Sequence, residues 1–453
     1  MASNRDQRTN PVRMALFVMY LSLGLWFVER GLFNEDEGWY LYAARQVDAG
    51  LMPVRDFVFN QGLVYPRVMA GMLDAGEGMI LSARWISWVM LVLGLMACVA
   101  AGTRVSGRSG GFAALLVMAS QPLMLSTGVL AKPYALCILL LSVGLLLIAA
   151  QDGLRVALGF VLLGLSAGTR LTLLIPISIL CLAHFPRRGL WASGGLAAGL
   201  LLAFSPLVGT PVSSVVSQLI GFHLGDALGI VERLSWLGWQ GGVLAFWATA
   251  LGPGARGAIP GLRSALVFGV MVHALPGALH VEHTMVLAPL FAVALADRWP
   301  DRLTGRQVAL SVMTVATAVV TGSHFVHLDK QVQSVQQVAE QGRWLAAVCP
   351  PSRVVFTPHL GIAVEANRRV TPGLEMGRFS ASFTDPATLS SGLSADVGAI
   401  ILTEGDAHKA GGLKDIYGAA VSAGWARRSI EPYGQFGERL WLLADEEGTL
   451  WAR

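Results

Sequence analysis

Charge and cysteine are both scarce in this sequence. Asp, Glu, Lys and Arg together make up 14% of its 453 residues, whereas they make up about 25% of a typical soluble domain. A soluble globule of this length could not solvate its surface with so few charges, and the same composition excludes a disordered chain, collagen and a coiled coil. The four cysteines show neither the spacing of metal ligands nor the density of a disulfide scaffold.

Apolar residues are abundant instead, and they occur in long runs. The set AVILMFWYC makes up 54% of the chain, and the mean hydropathy is +0.57. Runs close to the ~20 residues that cross a bilayer recur from Met14 to about Gly322 and then stop. The first run follows a polar N-terminus, which indicates a retained signal anchor. The expected spans are 14–33, 79–101, 111–128, 134–150, 155–169, 171–185, 190–209, 234–252, 264–280, 284–297 and 307–323. The pattern predicts a mainly α, polytopic membrane helix bundle of about eleven spans.

The positions of arginine between the spans predict their orientation. Basic residues precede the first span and then accumulate in alternate loops, which the positive-inside rule assigns to the cytoplasm. They are Arg5, Arg8, Arg13, Arg104, Arg108, Arg155, Arg187, Arg188, Arg256, Arg263, Arg298, Arg302 and Arg306. The long loop 30–78 and everything after about residue 324 then lie outside. We therefore expect a multi-pass protein of the plasma (inner) membrane with a cytoplasmic N-terminus.

The chain changes character after residue 323. Strand-like runs alternate there with helix-like stretches, which is the pattern of a small α/β domain. The strand-like runs are 353–357, 397–402 and 440–444, and the helix-like stretches are 332–348 and 415–423. The sequence thus predicts a transmembrane domain over 1–323 and an extracytoplasmic α/β domain over 324–453. It contains no P-loop and no internal repeat, so nothing in it indicates a nucleotide-driven pump.

The densest polar cluster is Asn34-Glu35-Asp36-Glu37, on the outer side of the first predicted span. Three adjacent carboxylates are suited to general-base chemistry. Residues 37–48 have helical spacing with a polar and an apolar side, which predicts a helix lying along the membrane surface. Either the cluster is the start of an ordinary solvated loop, or it places a catalytic carboxylate at the depth of the lipid headgroups.

Lys132 and Arg170 are single cations in very short outer turns between apolar spans, where the positive-inside rule disfavours them. Burying such a charge near the membrane costs about 2.5 to 3.5 kcal/mol on insertion scales. Either each side chain extends to phospholipid headgroups, or the two bind an anionic ligand such as a lipid phosphate.

Two further groups of polar residues occur on the outer side. His280, Glu282 and His283 either bind a divalent ion or donate a proton to a leaving phosphate, or they form a hydrogen-bonded cap at the end of a span. In the first outer loop, turn-forming residues alternate with polar and aromatic ones, and these either line a sugar pocket or form an ordinary loop. The candidates there are Arg55, Asp56, Gln61 and Tyr65.

The acidic loop resembles the first extracytoplasmic loop of the GT-C glycosyltransferases. These are polyprenyl-phosphate-sugar-dependent enzymes that include the protein O-mannosyltransferases and the lipid A aminoarabinose transferase. The likeness covers roughly the first 300 residues, and its specific part is the acidic loop. The similar segments are Asn34–Arg45, Gly50–Phe57, Gln61-Gly62, Ala131–Tyr134, Gly164–Thr172 and His283–Pro289.

The resemblance implies a membrane glycosyltransferase that takes a sugar from a polyprenyl-phosphate donor, with inversion at the anomeric carbon. Asp36 would be the base that deprotonates the acceptor, and Glu37 would support it. Glu35 is an additional acid, so the acidic pair could also be shifted by one residue. The leaving phosphate would be held by Lys132 and Arg170, with His280 or His283 as further candidates.

The resemblance also gives expectations about cofactors and partners. Some relatives use a divalent metal and others do not. Because the sequence has no second acidic motif, we expect no cofactor and assign no metal ligands, with a divalent metal kept as the alternative. The expected partners are the lipid-linked donor, a lipid, glycan or protein acceptor and membrane lipids, and no nucleic acid.

Two other classes of protein share parts of this pattern. A transporter or flippase for a lipid-linked or anionic solute usually has ionisable residues near the bilayer midplane and repeated halves. Here the ionisable residues lie at the outer ends of spans, which favours the enzyme. In a structural membrane subunit, the third alternative, the acidic loop would have no chemical role.

Overall fold

The protein is represented by a computed structural model that describes residues 9–74, 76–221, 258–274, 285–298, 334–377, 380, 397–403, 426–432 and 439–444. The predicted spans 234–252 and 307–323 lie outside these residues, as do the predicted helix 415–423 and the candidates His280, Glu282 and His283. Within the described part the fold is mainly helical, with a small α/β domain near the C-terminus.

Most of the α-helices of the described part fall within or close to the predicted apolar spans, and the others lie in the outer loops and the C-terminal region. The α-helices are α1 (Thr9–Arg30), α2 (Glu35–Asp48), α3 (Val64–Ala70), α4 (Met79–Ala119), α5 (Pro122–Ser126), α6 (Tyr134–Ile148), α7 (Gly153–Thr169), α8 (Leu174–Phe204), α9 (Val212–Val216), α10 (Leu262–Ala274), α11 (Ala288–Ala296), α12 (Val335–Val348) and α13 (Leu360–Glu365). Short 3₁₀ turns at Leu171–Leu173 and Ser205–Leu207 flank α8, and a π-helical turn at Ser217–Gly221 follows α9.

The long helix α4 is a hairpin of two antiparallel segments. Its backbone leaves the helical region at Ser106 and Gly107, where φ of Gly107 is +67°. Beyond this turn, the backbone of Gly110 lies against Gly102, so closely that a Cβ on either would meet the carbonyl oxygen of the other. The two segments correspond to the predicted spans 79–101 and 111–128.

The helix α8 reverses direction in the same way. Arg188 has non-helical dihedral angles of φ −145° and ψ 30°. The segment after it runs parallel to α7, because Gly195 lies against Ala157 and Gly199 lies against Val161. Since the segment before Arg188 returns directly from the end of α7, the two halves of α8 are antiparallel. They correspond to the predicted spans 171–185 and 190–209.

The outer surface of these helices is apolar. In α8, Leu182 is 69% exposed, Leu190 is 90% exposed and Leu201 is 73% exposed. Large apolar side chains exposed in a continuous band are expected where a helix faces lipid. By length and composition, two helical stretches of the described part could cross a membrane, Met79–Ala119 and Leu171–Leu207. The count of about eleven spans stays a prediction.

The C-terminal domain is built on a five-stranded mixed sheet of order β2-β1-β3-β5-β4. The strands are β1 (Val354–Phe356), β2 (Arg369–Val370), β3 (Val397–Thr403), β4 (Ala426–Pro432) and β5 (Arg439–Ala444). β1 pairs in parallel with β2 and β3, and β5 pairs antiparallel with β3 and β4. The strands predicted at 353–357, 397–402 and 440–444 are confirmed. β2 and β4 are not apparent in the sequence, because β2 has two residues and β4 is largely polar.

Candidate active site

The first turn of α2 holds the acidic cluster in a fixed arrangement. The Asn34 side chain accepts a hydrogen bond from the backbone N–H of Asp36 at 3.1 Å, and Glu37 Oε1 accepts one from the N–H of Asn34 at 3.0 Å. This reciprocal capping box fixes where the helix starts and satisfies two of its terminal N–H groups. As a result, Glu35, Asp36 and Glu37 occupy successive positions around one helical turn.

The predicted helix is present, but it does not lie freely along a membrane surface. All residues from Glu37 to Ala44 are buried, so both sides of α2 are covered. One side packs on α3 and α4. The other packs on α13 of the C-terminal domain, with Gly38 in direct backbone contact with Gly361. The amphipathic pattern of residues 37–48 predicts one buried side, so it did not predict that α13 packs on the other side.

Glu37 belongs to a buried ion pair with Arg84 of α4. Both side chains have no exposed surface, and the guanidinium binds the carboxylate through two N–H groups at 2.6 and 2.8 Å. Arg84 also donates to the carbonyls of Gly31 and Leu32, and Glu37 Oε2 accepts from the N–H of Ala131 at 2.8 Å. Glu37 therefore joins the start of α2 to the turn that precedes α6.

Asp36 forms an ion pair with Lys132, which lies in the turn that precedes α6. Its Oδ2 lies 2.8 Å from Lys132 Nζ. The Lys132 side chain is 1% exposed, whereas the Asp36 side chain is 32% exposed. The predicted proximity of an outer-loop carboxylate and a lone cation is thus present, with the carboxylate on the accessible side of the pair.

Arg170, the cation of the second short turn, lies near the same aromatic ring as Lys132. The Tyr134 ring centroid is 5.9 Å from Lys132 Nζ and 5.1 Å from Arg170 Cζ, distances at which a cation is attracted to the face of a tyrosine. Both cations therefore contact one ring. Arg170 also donates to Gln61 Oε1 at 3.0 Å, which brings the first outer loop to the same place.

Gly62 makes that approach possible. A Cβ at this position would collide with the Thr169 carbonyl oxygen at the end of α7. Only a residue without a side chain lets the loop come this near to Arg170. Gln218 holds the same loop from another side, because it accepts from the N–H of Phe59 at 3.0 Å and donates to the carbonyl of Val54 at 3.4 Å.

Glu35 faces the C-terminal domain. Its Oε1 lies 3.7 Å from Nδ1 of His359, whose imidazole is buried immediately before α13. Each of the three adjacent carboxylates therefore has a different basic partner. These pairs are Glu35 with His359, Asp36 with Lys132, and Glu37 with Arg84.

The C-terminal domain is attached to this region by several polar contacts. Glu365 accepts from the N–H groups of Gly78 and Ile80 at 2.6 and 2.8 Å, so it caps the start of α4. Burial raises the pKa of Glu365 above its ordinary value. Arg45 of α2 donates to the carbonyls of Ala363 and Arg368.

The remaining predicted residues of the first outer loop differ in exposure. Arg55 and Asp56 form an exposed ion pair with each other at 2.9 Å, and hydrogen bonding to Arg55 lowers the pKa of Asp56 below its ordinary value. Tyr65 is fully buried, with its ring 5.6 Å from that of Tyr40. In the described part of the chain, no group of three residues with metal-binding side chains is found.

Sequence reasoning missed Arg84, His359, Glu365 and Gln218. Arg84 gave a usable signal, since an arginine inside a predicted span needs a buried partner. The other three gave none, because their importance depends on which distant segments meet in the fold.

Solved structures of similar fold are known. ArnT from Cupriavidus metallidurans bound to undecaprenyl phosphate matches with a TM-score of 0.62 and 13% identity over 98% of each chain. Its apo state matches with a TM-score of 0.63 and 14% identity over 96% of this chain and 98% of that one. The chain has the GT-C fold.

A more distant neighbour agrees with the GT-C assignment. The archaeal oligosaccharyltransferase AglB from Archaeoglobus fulgidus, in complex with an inhibitory peptide and a dolichol-phosphate, matches with a TM-score of 0.50 and 10% identity. That match covers 95% of this chain and 74% of AglB. No family model matches the sequence, and no curated protein is significantly similar to it. The GT-C fold is therefore recognised through structure and through the acidic loop.

Proposed function

We propose that this protein is an integral membrane glycosyltransferase that transfers a sugar from a polyprenyl-phosphate donor to an acceptor on the extracytoplasmic face. The observation that carries the proposal is the contact of Asp36 with Lys132, beside Tyr134 and Arg170, in a chain with the GT-C fold. ArnT and AglB, which share the fold, were solved with undecaprenyl phosphate and a dolichol-phosphate.

The two cations suit the phosphate of such a donor. A polyprenyl chain stays in the lipid, so its phosphate lies at the membrane interface, where the spans that carry Lys132 and Arg170 end. Both cations lie near the Tyr134 ring, and a phosphate can accept charge-assisted hydrogen bonds from both. In the reaction they stabilise the negative charge that develops on the leaving phosphate.

Asp36 is the group that we assign as the base. Its carboxylate takes the proton from the acceptor hydroxyl or amine, and the acceptor atom attacks the anomeric carbon from the face opposite the phosphate. A bond forms from the acceptor to this carbon while the bond from the carbon to the phosphate oxygen breaks, and its electron pair remains on the polyprenyl phosphate. In-line displacement inverts the configuration.

Glu37 keeps the supporting role that the resemblance implies. Its carboxylate is fully occupied by Arg84 and by two backbone N–H groups, so we infer that it positions Asp36 and the turn before Lys132. Gln61 positions Arg170. His280 and His283 stay candidates for a second contact with the leaving phosphate, and a divalent metal stays the alternative.

The arrangement in the membrane follows from the same proposal. We infer that residues 1–323 form the transmembrane domain and that 324–453 lie on the extracytoplasmic side, with a cytoplasmic N-terminus, in the plasma (inner) membrane. The apolar faces of the helices and the placement of the site at one end of the spans support this. The acceptor is a lipid, glycan or protein with a free hydroxyl or amine.

The role of Asp36 is tested by Asp36→Asn in the purified protein. Radiolabelled undecaprenyl-phosphate sugars serve as donors, and membranes of the source cells serve as the acceptor mixture. We expect transfer to fall by at least a hundredfold, the usual contribution of a general base, while undecaprenyl phosphate still binds. Asp48→Asn at the other end of α2, about 18 Å away, is the matched control. Transfer by Asp36→Asn at the wild-type rate would remove the base from the mechanism.

The role of the cations is tested by binding. Lys132→Gln and Arg170→Gln should each weaken the affinity for undecaprenyl phosphate about tenfold or more, as expected when one charge-assisted contact to a phosphate is lost. Arg155→Gln, an exposed cation at the other end of α7, should bind as the wild type does. Unchanged affinity in both test variants would mean that the phosphate binds elsewhere.

A further inference from the structure

The chain continues beyond α8 over residues 205–221, a stretch that contains no charged residue and that we call the post-α8 segment. Several of its large apolar side chains are exposed. Val208, Val212, Val216 and Ile220 are between 47% and 78% exposed, and their spacing of four residues places Val212 and Val216 on one side of α9. An exposed apolar surface of this kind is typical of a contact with another protein or with a membrane.

The opposite side of the post-α8 segment packs on the protein. Leu219 is buried, and Val215 packs against the hydrophobic core. Gln218 contacts the first outer loop from this side, where its Oε1 accepts from the N–H of Phe59 at 3.0 Å and its Nε2 donates to the carbonyl of Val54 at 3.4 Å. The segment therefore holds a loop of the candidate site with one side and exposes an apolar face on the other.

Val54 is a residue that needs such support. Its φ of +72° lies in the left-handed region, which a β-branched residue avoids. A backbone in this conformation persists where the surrounding structure holds it. Here the Val54 N–H donates to the carbonyl of Phe57 at 2.9 Å, and the Val54 carbonyl accepts from Gln218. The post-α8 segment thus helps to fix the shape of the first outer loop.

The post-α8 segment begins at the level of the cation site. The second half of α8 lies beside α7, and a Cβ on Gly168 would meet the side chain of Ala203. Arg170 directly follows the end of α7, so α8 ends close to the same level. Arg67 of α3 binds this end of α8, because it donates to the carbonyl of Leu202 at 2.9 Å. The segment therefore starts near the depth that we propose for the donor phosphate.

Lipid acyl chains are the partner that fits the exposed face. Leu201 and Leu202 of α8 are 73% and 54% exposed, and the face of the post-α8 segment continues from this lipid-facing end of the helix. A protein partner is usually held by polar and charged groups around an apolar centre, and anionic headgroups attract basic residues. The segment offers no charge to either.

We propose that the post-α8 segment lies in the outer leaflet of the bilayer, with Val208, Val212, Val216 and Ile220 among the acyl chains, and that Gln218 ties the first outer loop to it. The proposal rests on the arrangement in the membrane that belongs to the proposed function. It assigns to the bilayer itself a part in holding this loop at the depth of the donor phosphate.

The placement in lipid is tested by the depth of single labelled cysteines in the full-length protein, reconstituted in phosphatidylcholine vesicles. Val212→Cys and Val216→Cys carry an environment-sensitive fluorophore. The four native cysteines are buried, and labelled wild-type protein gives their background. Spin labels on the acyl chains should quench both positions as strongly as Leu201→Cys, the lipid-facing control. Iodide in the water should quench only Glu77→Cys, the water-facing control, whose side chain is 60% exposed.

The link through Gln218 is tested by hydrogen exchange in lipid nanodiscs. Gln218→Leu keeps the size of the side chain and removes both hydrogen bonds, so the Phe59 N–H should exchange about tenfold faster, as expected when one hydrogen bond is lost. Val212→Lys combined with Val216→Lys draws the segment out of the acyl chains and should speed the same exchange. Gln336→Leu is the matched control, because it removes a bond of 3.4 Å to the Glu29 carbonyl and should leave Phe59 unchanged.

The outcomes are distinct. Iodide quenching at Val212→Cys and Val216→Cys, or protection of both labels from both quenchers, overturns the placement in lipid. Unchanged exchange at Phe59 in Gln218→Leu overturns the link to the loop. Iodide quenching at Leu201→Cys as well refutes the arrangement in the membrane and the proposal with it. Neither measurement involves turnover, so a protein that transfers no sugar refutes the proposed function while the labels still decide the placement.

Discussion

At the residue scale, the arrangement of charges around α2 separates an inaccessible ion pair from one whose carboxylate is accessible. Arg84 and Glu37 are both inaccessible and satisfy each other. Asp36 and Lys132 are in contact as well, but the carboxylate is accessible. Removing one partner of a buried pair leaves an uncompensated charge, which costs about 3–5 kcal/mol, whereas an accessible partner can be exchanged for a ligand.

This difference gives a stability prediction for Arg84→Met. We expect the free energy of unfolding to fall by about 3–5 kcal/mol, measured by denaturant unfolding in detergent. The double variant Arg84→Met with Glu37→Gln should recover part of this loss, because the buried charge is gone. Arg155→Met breaks only the exposed pair with Asp152 and should change stability by less than about 1 kcal/mol. A similar small effect at Arg84 would contradict the buried ion pair.

The pair of Asp36 with Lys132 could be predicted from sequence, and the pair of Glu37 with Arg84 could not. Charges at the outer ends of apolar spans must lie at one level of the membrane, so their proximity follows from topology. Arg84 lies inside an apolar run, and its partner is 47 positions away. The capping-box spacing of Asn34 and Glu37 distinguishes Glu37 from its two acidic neighbours, but nothing local to it identifies Arg84 as its partner.

At the scale of elements, apolar runs give the helices, while short polar interruptions give the turns. The turns at Ser106–Gly107 and at Arg188 fall between predicted spans because polar or small residues interrupt the apolar sequence there. The contact between the first outer loop and the end of α7 was not predictable, since it depends on Gly62 lying against Thr169.

Gly62→Ala tests that contact. The added methyl group would push the loop away from α7 and separate Gln61 from Arg170. This overpacking would lower the free energy of unfolding by about 1–3 kcal/mol. We therefore expect affinity for undecaprenyl phosphate to fall about tenfold while the protein remains folded. Gly71→Ala in the same loop is the control, because its Cβ would have its nearest neighbour at 3.8 Å. Equal affinity in both variants would mean that the loop does not support Arg170.

At the scale of the whole molecule, the C-terminal domain contacts the helices that carry the acidic cluster and Arg84. Glu365 caps α4 from 285 positions away, and Arg45 binds the Arg368 carbonyl 323 positions away. The strands of this domain could be predicted in part, but its docking could not, because contacts at such separation leave no local pattern.

Glu365 predicts how stability depends on pH. Burial raises its pKa above the ordinary value of 4.5, so the folded protein keeps this proton to higher pH than the unfolded chain does. Stability should therefore fall as pH rises from about 4.5 to the raised pKa and then level off. Glu365→Gln should flatten this part of the profile in thermal unfolding from pH 4 to 8. Glu375, whose pKa burial also raises, is kept in both proteins, so the difference between the two profiles isolates Glu365. Parallel profiles would contradict the buried carboxylate.

The packing of α13 on α2 also sets when this part of the structure can form during translation. A ribosome adds about 5–20 residues per second, and 285 residues separate Ile80 from Glu365. The N-terminal helices are therefore in the membrane for roughly 15–60 s before α13 is synthesised. During that interval Glu35 has no imidazole beside it. A nascent or prematurely terminated chain accordingly carries the acidic cluster of α2 without the contacts that α13 makes with this helix.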